Sequence, residues 1–156
     1  MDLDPEWKKK AVEKHLQEEG QREEKNYLLN LSLKMIKFKS LNQTKEFLKV
    51  LKKKRLNTKY FTIYFSKNFK NDFKKYLNIS FVMKKNIGNA VMRNKIKRKL
   101  KYAVQKISKE KQLIDLNYTY IIFGKNNVYK DKFALVLDEM NETFKKIKQM
   151  KNQSWS

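Results

Sequence analysis

The chain has 156 residues, 40% hydrophobic and 13% aromatic, with 38 Lys and Arg against 16 Asp and Glu for a formal charge of +22. That length holds one domain and a short appendage, and the aromatic content separates it from a disordered basic tail. The absence of cysteine and the single histidine, His15, exclude disulfides, thiol nucleophiles, cysteine metal sites and histidine clusters.

No apolar run approaches the ~20 residues of a membrane span, and the charged start lacks a signal-peptide core. A cytoplasmic protein with no membrane partner is expected. The charge is uneven. Residues 1–34 hold seven Lys/Arg and eight Asp/Glu, a net of −1, whereas the other 122 hold 31 and eight, a net of +23. A domain boundary is therefore expected near Met35. A foldable segment this basic points to nucleic acid or another polyanion.

In chain order, Asp4, Pro5 and Glu6 suit the cap and first turn of a helix carrying Trp7, Ala11 and Leu16, which Gly20 interrupts. A second helical stretch is expected over 21–33, with Tyr27, Leu28 and Leu31 at helical spacing. After Met35, Phe47, Val50 and Leu51 share a face of a helix over 43–53. Residues 60–65 alternate, with Phe61, Ile63 and Phe65 on one side and Tyr60, Thr62 and Tyr64 on a wetter one, which predicts a strand. Residues 78–83 repeat the pattern with Ile79, Phe81 and Met83. A helix over 89–106 follows, then a β-branched and aromatic strand over 118–123. Asn126-Asn127 reads as a turn. Asp131 is placed to cap a last helix that buries Phe133, Val136, Leu137, Met140 and Phe144. Lys145, Lys146, Lys148 and Lys151 suit its C-terminal dipole.

The expected fold class is α+β. It is a single two-layer domain of order α-β-β-α-β-α, with room for a further short strand, over residues 35–150. A helical extension (1–34) precedes it and a tail (151–156) follows.

The helix over 89–106 is the most informative element. Arg93, Asn94, Lys97, Arg98 and Lys101 fall at i, i+1, i+4, i+5 and i+8, on one side at about 100° per residue. Met92, Ile96, Leu100, Ala103 and Ile107 fall on the other. One face is built for a core and the other for a polyanion. No acidic cluster in the basic region offers to hold catalytic metal ions, and His15 alone makes no acid–base pair. No catalytic residue and no metal ligand is therefore assigned.

The stretch reads Lys84-Lys85, then Gly88-Asn89-Ala90-Val91, then Arg93-Asn94-Lys95-Ile96-Lys97-Arg98-Lys99-Leu100-Lys101. With the element order, it resembles the protein subunit of bacterial ribonuclease P, whose signature is Lys-Lys, Gly-Asn-Ala-Val and Arg-Asn-x-x-Lys-Arg-x-x-Arg. The resemblance spans residues 35–147 and includes Glu46-Phe47 and Phe61 to Tyr64. Three positions depart from it. Lys101 replaces the last Arg and loses its planar fork. Asn86 and Ile87 stand where many relatives have one residue. Leu51 stands where a second aromatic is common. Met35 to Leu41 looks like a family N-terminus, so residues 1–34 are expected to be a dispensable extension, or Met35 the native start.

The resemblance implies a protein that assists the removal of the 5′ leader from precursor tRNA while the RNA subunit does the chemistry with Mg²⁺. By that resemblance Arg93, Asn94, Lys97, Arg98 and Lys101, with Lys84, Lys85 and Asn89, bind the RNA subunit. Tyr60, Tyr64 and Phe47 take the single-stranded leader. Each of these aromatics has a plain alternative as a half-buried strand or helix residue. The expected partners are the catalytic RNA and precursor tRNA, with one protein per RNA and a monomer when alone. Competing classes are a ribosomal protein or RNA chaperone, and a DNA regulator reading the major groove. The latter lacks a dimer element and a second helix placed for a helix-turn-helix.

Overall fold

The structure, a computed structural model, describes residues 36–68, 76–110 and 113–153, together with Lys9–Ala11, Glu13, Lys14, Gln17 and Gln21. The chain divides into two compact units, Met1–Met35 and Ile36–Ser156. The described residues of the first unit are helical and exposed. The expected cap at Asp4-Pro5, Trp7, Gly20 and residues 22–33 lie outside the described residues.

The second unit runs β1 (Lys37–Lys39), α1 (Thr44–Leu51), β2 (Lys54–Asn57), β3 (Phe61–Lys67), β4 (Tyr76–Val82), a 3₁₀ turn (Lys85–Ile87), α2 (Ala90–Glu110), β5 (Tyr118–Gly124), α3 (Asn127–Lys130) and α4 (Phe133–Gln153). The five strands form one sheet in the order β1-β4-β5-β3-β2. β1 and β5 both run parallel to β4, while β3 is antiparallel to β5 and to β2. Helix α2 is thus the crossover between two adjacent parallel strands, a connection such a pair requires.

Alternation builds the core. Ile63 pairs with Ile122 and Phe65 with Tyr120, while Ile79 pairs with Tyr120 and Phe81 with Ile122. These residues share one sheet face, which α2 covers with Ile96, Leu100, Ala103, Val104 and Ile107, and α4 with Val136, Met140, Phe144 and Ile147. The rings of Tyr120 and Phe144 meet edge to face at 5.5 Å. Gly124 ends β5 where a Cβ would stand 2.6 Å from Met83 Sδ and 2.9 Å from Ile96 Cγ2, so glycine lets strand and helix close up.

Helix α1 packs on β3 and β5. Its Val50 is buried, as is Ile121, and neither belongs to the main cluster. They sit on the second sheet face, where Tyr64 pairs with Ile121 and Thr62 with Phe123.

The strands and helices follow the sequence pattern, with α2 running to Glu110 and β4 starting at Tyr76, and with further differences of kind. The short strands β1 and β2 were not placed, because Lys-Phe-Lys and Lys-Arg-Leu-Asn carry little apolar signal. Such charge is what blunts sheet edges. Asn126-Asn127 opens the short helix α3 rather than a simple turn. α4 runs to Gln153, past the expected end of the domain at residue 150. Asp131 stands two residues before α4, which begins at Phe133, and ends α3 instead; its Oδ2 accepts from Lys59 and Tyr60.

Candidate nucleic-acid interface

The basic helix is started by a defined device. Asn89 Oδ1 accepts the Met92 backbone N–H at 2.9 Å, the N-cap geometry that satisfies a first-turn donor. Before it, Gly88 has φ 155° and a Cβ there would stand 2.5 Å from Met92 Sδ. The two residues separating Lys85 from Gly88, Asn86 and Ile87, complete a single 3₁₀ turn, closed by the Ile87 N–H on the Lys84 carbonyl.

From this start α2 presents Asn94, Lys97, Arg98 and Lys101 to solvent. Arg93 is half-buried beside them. Its Nε is enclosed and has no hydrogen-bond partner among the described residues. Arg93, Asn94 and Lys97 line a shallow hollow with Phe81, Met83 and Ala90, where β4 runs out under the helix. Lys84 and Lys85 are exposed at the same end. The side-chain oxygen of Asn89 is committed to the helix cap, so its first role is structural.

Lys99, in the middle of the signature, does something else. Its Nζ donates to the carbonyls of Val128 at 2.8 Å and Asp131 at 2.6 Å. That ammonium ties α3 to α2 and is turned away from the Arg93–Lys97–Lys101 strip. A basic residue in a basic run gave no sequence signal for this.

The second sheet face divides the three candidate aromatics. Tyr64 is half-buried, and its ring meets Phe123 edge to face at 5.5 Å. Phe47 is half-buried on α1. Tyr60 is not on this face. It is only 4% exposed and belongs to the main core. Strand β3 starts one residue later, at Phe61, so the alternation that puts Thr62 and Tyr64 outward does not extend back to Tyr60. The Tyr60 hydroxyl donates to Asp131 at 2.7 Å. Its ring is not available for a base to stack on.

Phe123 replaces it. Thr62, Phe123, Lys84 and Lys125 line one hollow at the end of this face. Phe123 was visible as a strand residue, but only its register opposite Thr62 shows which way it points. At the other end α1 and the sheet enclose a cleft of about 250 Å³ lined by Glu46, Val50, Asn68, Asn78 and Thr119. Aromatic rings and lysines thus share one open surface that reaches the start of α2. No group of three or more His, Cys, Asp or Glu placed to hold a metal occurs among the described residues. None of the helices among those residues is long and apolar enough to cross a membrane.

Residues 35–148 match the family model described as Ribonuclease P. The ribonuclease P protein component of Carboxydothermus hydrogenoformans is 29% identical over 107 residues, 68% of this chain and 88% of the relative. That of Mesoplasma florum is 30% identical over 105 residues, 67% and 90% of the two chains. In solved structures, the RNase P protein from Thermotoga maritima aligns with a TM-score of 0.56 at 22% identity, covering 69% of this chain and 96% of that one. The Staphylococcus aureus RNase P protein aligns with a TM-score of 0.57 at 21% identity, covering 70% and 94%. The structural likenesses bear on the α+β fold, and the family match bears on function.

Proposed function

Since this chain belongs to the ribonuclease P protein family and is a protein component of that tRNA-processing endoribonuclease, we propose how its two surfaces divide the work. Arg93, Asn94, Lys97, Arg98 and Lys101 bind the catalytic RNA subunit, with Lys84 and Lys85 extending the contact. The observation that carries this is the row that α2 turns to solvent, Asn94, Lys97, Arg98 and Lys101, with Arg93 half-buried beside it. A strip of cations with no acid among them fits the phosphates of a folded RNA. Each phosphate neutralised by the strip releases counterions, so affinity falls steeply with salt.

The open sheet face takes the single-stranded 5′ leader of precursor tRNA. Tyr64 and Phe123 offer rings, Phe47 borders them, and Lys84 offers charge. Stacking on rings contributes about 1–3 kcal/mol per base and tolerates any sequence, which suits leaders that vary. Mg²⁺ belongs to the RNA subunit in this reading, and the chain's part is to bind and position. The protein acts in the cytoplasm as one copy per RNA.

The test is cleavage of a precursor tRNA by a bacterial ribonuclease P RNA at low Mg²⁺, with and without the protein. Strong stimulation is expected, and it is expected to disappear when Arg93 and Arg98 are both changed to Ala. Stimulation that survives that double change would rule out the α2 strip as the RNA-subunit contact.

A further inference from the structure

Helix α2 has a third strip, turned away from Arg93 and the core. Lys95, Arg98 and Tyr102 lie at i, i+3 and i+7 along it. Tyr102 is 58% exposed, and Tyr129 of α3 is 45% exposed. The Lys95 ammonium lies 5.8 Å from the centroid of the Tyr129 ring. The Tyr102 ring rests on Phe133 with centroids 5.2 Å apart. The Lys99 bonds to Val128 and Asp131 hold α3 against α2. Both rings are therefore steadied from one side and open on the other.

Large aromatic side chains exposed together mark contact surfaces, and the surrounding charge selects the partner. Helix α2 has no acid before Glu110 and α3 has none. Asp131, at the end of α3, is engaged by Lys59 and Tyr60. A second copy of a chain with formal charge +22 would be repelled. Ring faces interleaved with cations match unpaired bases and their phosphates.

We propose that Tyr102 and Tyr129, with Lys95, form a second stacking surface for an unpaired segment of RNA, bordering the Arg93–Lys97–Arg98–Lys101 strip at Arg98 and separate from the open sheet face. The proposal rests on the reading that the chain binds ribonuclease P RNA.

The full-length protein would be titrated with transcribed bacterial ribonuclease P RNA and with a short oligouridine. The variants are Tyr102→Ala with Tyr129→Ala, and the matching pair of Phe substitutions. The Ala pair is expected to weaken both complexes by about tenfold or more, the Phe pair to bind as wild type, and the salt slope to stay unchanged. Tyr129→Ala alone leaves the Tyr102–Phe133 contact in place and gives the same readout if the double variant loses its melting transition. Wild-type affinity in the Ala variants, or an equal loss in the Phe pair, would overturn the proposal. So would a dimer in sedimentation that the Ala pair dissociates. If the wild type failed to bind the ribonuclease P RNA while oligouridine binding still depended on the two rings, the proposed function would fall and the stacking surface would stand.

Discussion

The phenolic hydroxyl of Tyr60 donates a 2.7 Å hydrogen bond to Oδ2 of Asp131, across 71 positions of sequence. The Lys59 ammonium donates to the same oxygen at 2.9 Å. This carboxylate fastens the turn before β3 to the segment between α3 and α4. The same segment receives Lys99 of α2 through the Asp131 carbonyl. One short stretch of chain thus ties the start of a central strand to the signature helix.

That network sets an acid dependence. The Lys59 bond first, and the Tyr60 bond second, hold the Asp131 carboxyl below its ordinary value. A carboxyl lowered in the folded state binds fewer protons there than in the unfolded chain. Its contribution is complete above about pH 5, where an unfolded Asp near 3.9 is also ionised, and is lost as pH falls through the folded value. The thermal midpoint of the wild type is expected to fall more steeply between about pH 5 and pH 2 than that of Asp131→Asn. Parallel curves for the two proteins would show that the carboxylate contributes nothing to the fold.

Lys99 and Arg98 are adjacent basic residues with opposite expected behaviour. Arg98 is exposed, so Arg98→Ala should lower the salt slope of RNA-subunit binding by about one. Lys99 is committed to two carbonyls, so Lys99→Met should leave that slope unchanged and destabilise the fold by about 1.5–3 kcal/mol, the range for hydrogen bonds to charged groups. Salt titrations paired with urea denaturation separate the two. A slope that fell for Lys99→Met would place its ammonium on RNA.

How much of this was legible follows from which interactions are periodic. The faces of β3 and α2 were readable because Ile63 and Phe65 recur at two and Ile96, Leu100 and Ala103 at three or four. Asn89 was readable as a cap because the residue type and position specify it. β1 and β2 were not, because their place depends on pairing with β4 and β3 rather than on their own charged residues. Tyr60 obeyed the alternation and still turned inward, because the strand starts one residue later and Asp131 offers its hydroxyl a partner. Lys99 looked like its neighbours, and only the folding of α3 against α2 brings the two carbonyls to it.

The core side of α2 should be separable from its binding side. Leu100 is fully buried, two residues from Arg98. Leu100→Ala removes packed methyl groups and should cost about 2–5 kcal/mol, read as a lower urea midpoint. At temperatures where the variant remains folded, RNA affinity and its salt slope should match the wild type. A change in slope under those conditions would mean that core packing sets the spacing of the cations.

The open sheet face gives the most direct test of leader recognition. Tyr64 is half-buried on this face, and its ring meets Phe123 edge to face. Tyr64→Ala should weaken binding of a precursor tRNA with a leader by about 1–3 kcal/mol, the value of one stacked base. Binding of mature tRNA, and of the RNA subunit alone, should be unchanged. Tyr60→Phe is the control. It keeps the buried ring, removes the hydroxyl that Asp131 accepts, and should affect stability but not leader affinity. Equal losses with leader-bearing and leaderless substrates for Tyr64→Ala would mean that the ring shapes the sheet rather than touching RNA. A loss of leader affinity in Tyr60→Phe would mean that the Tyr60–Asp131 tie positions the open face.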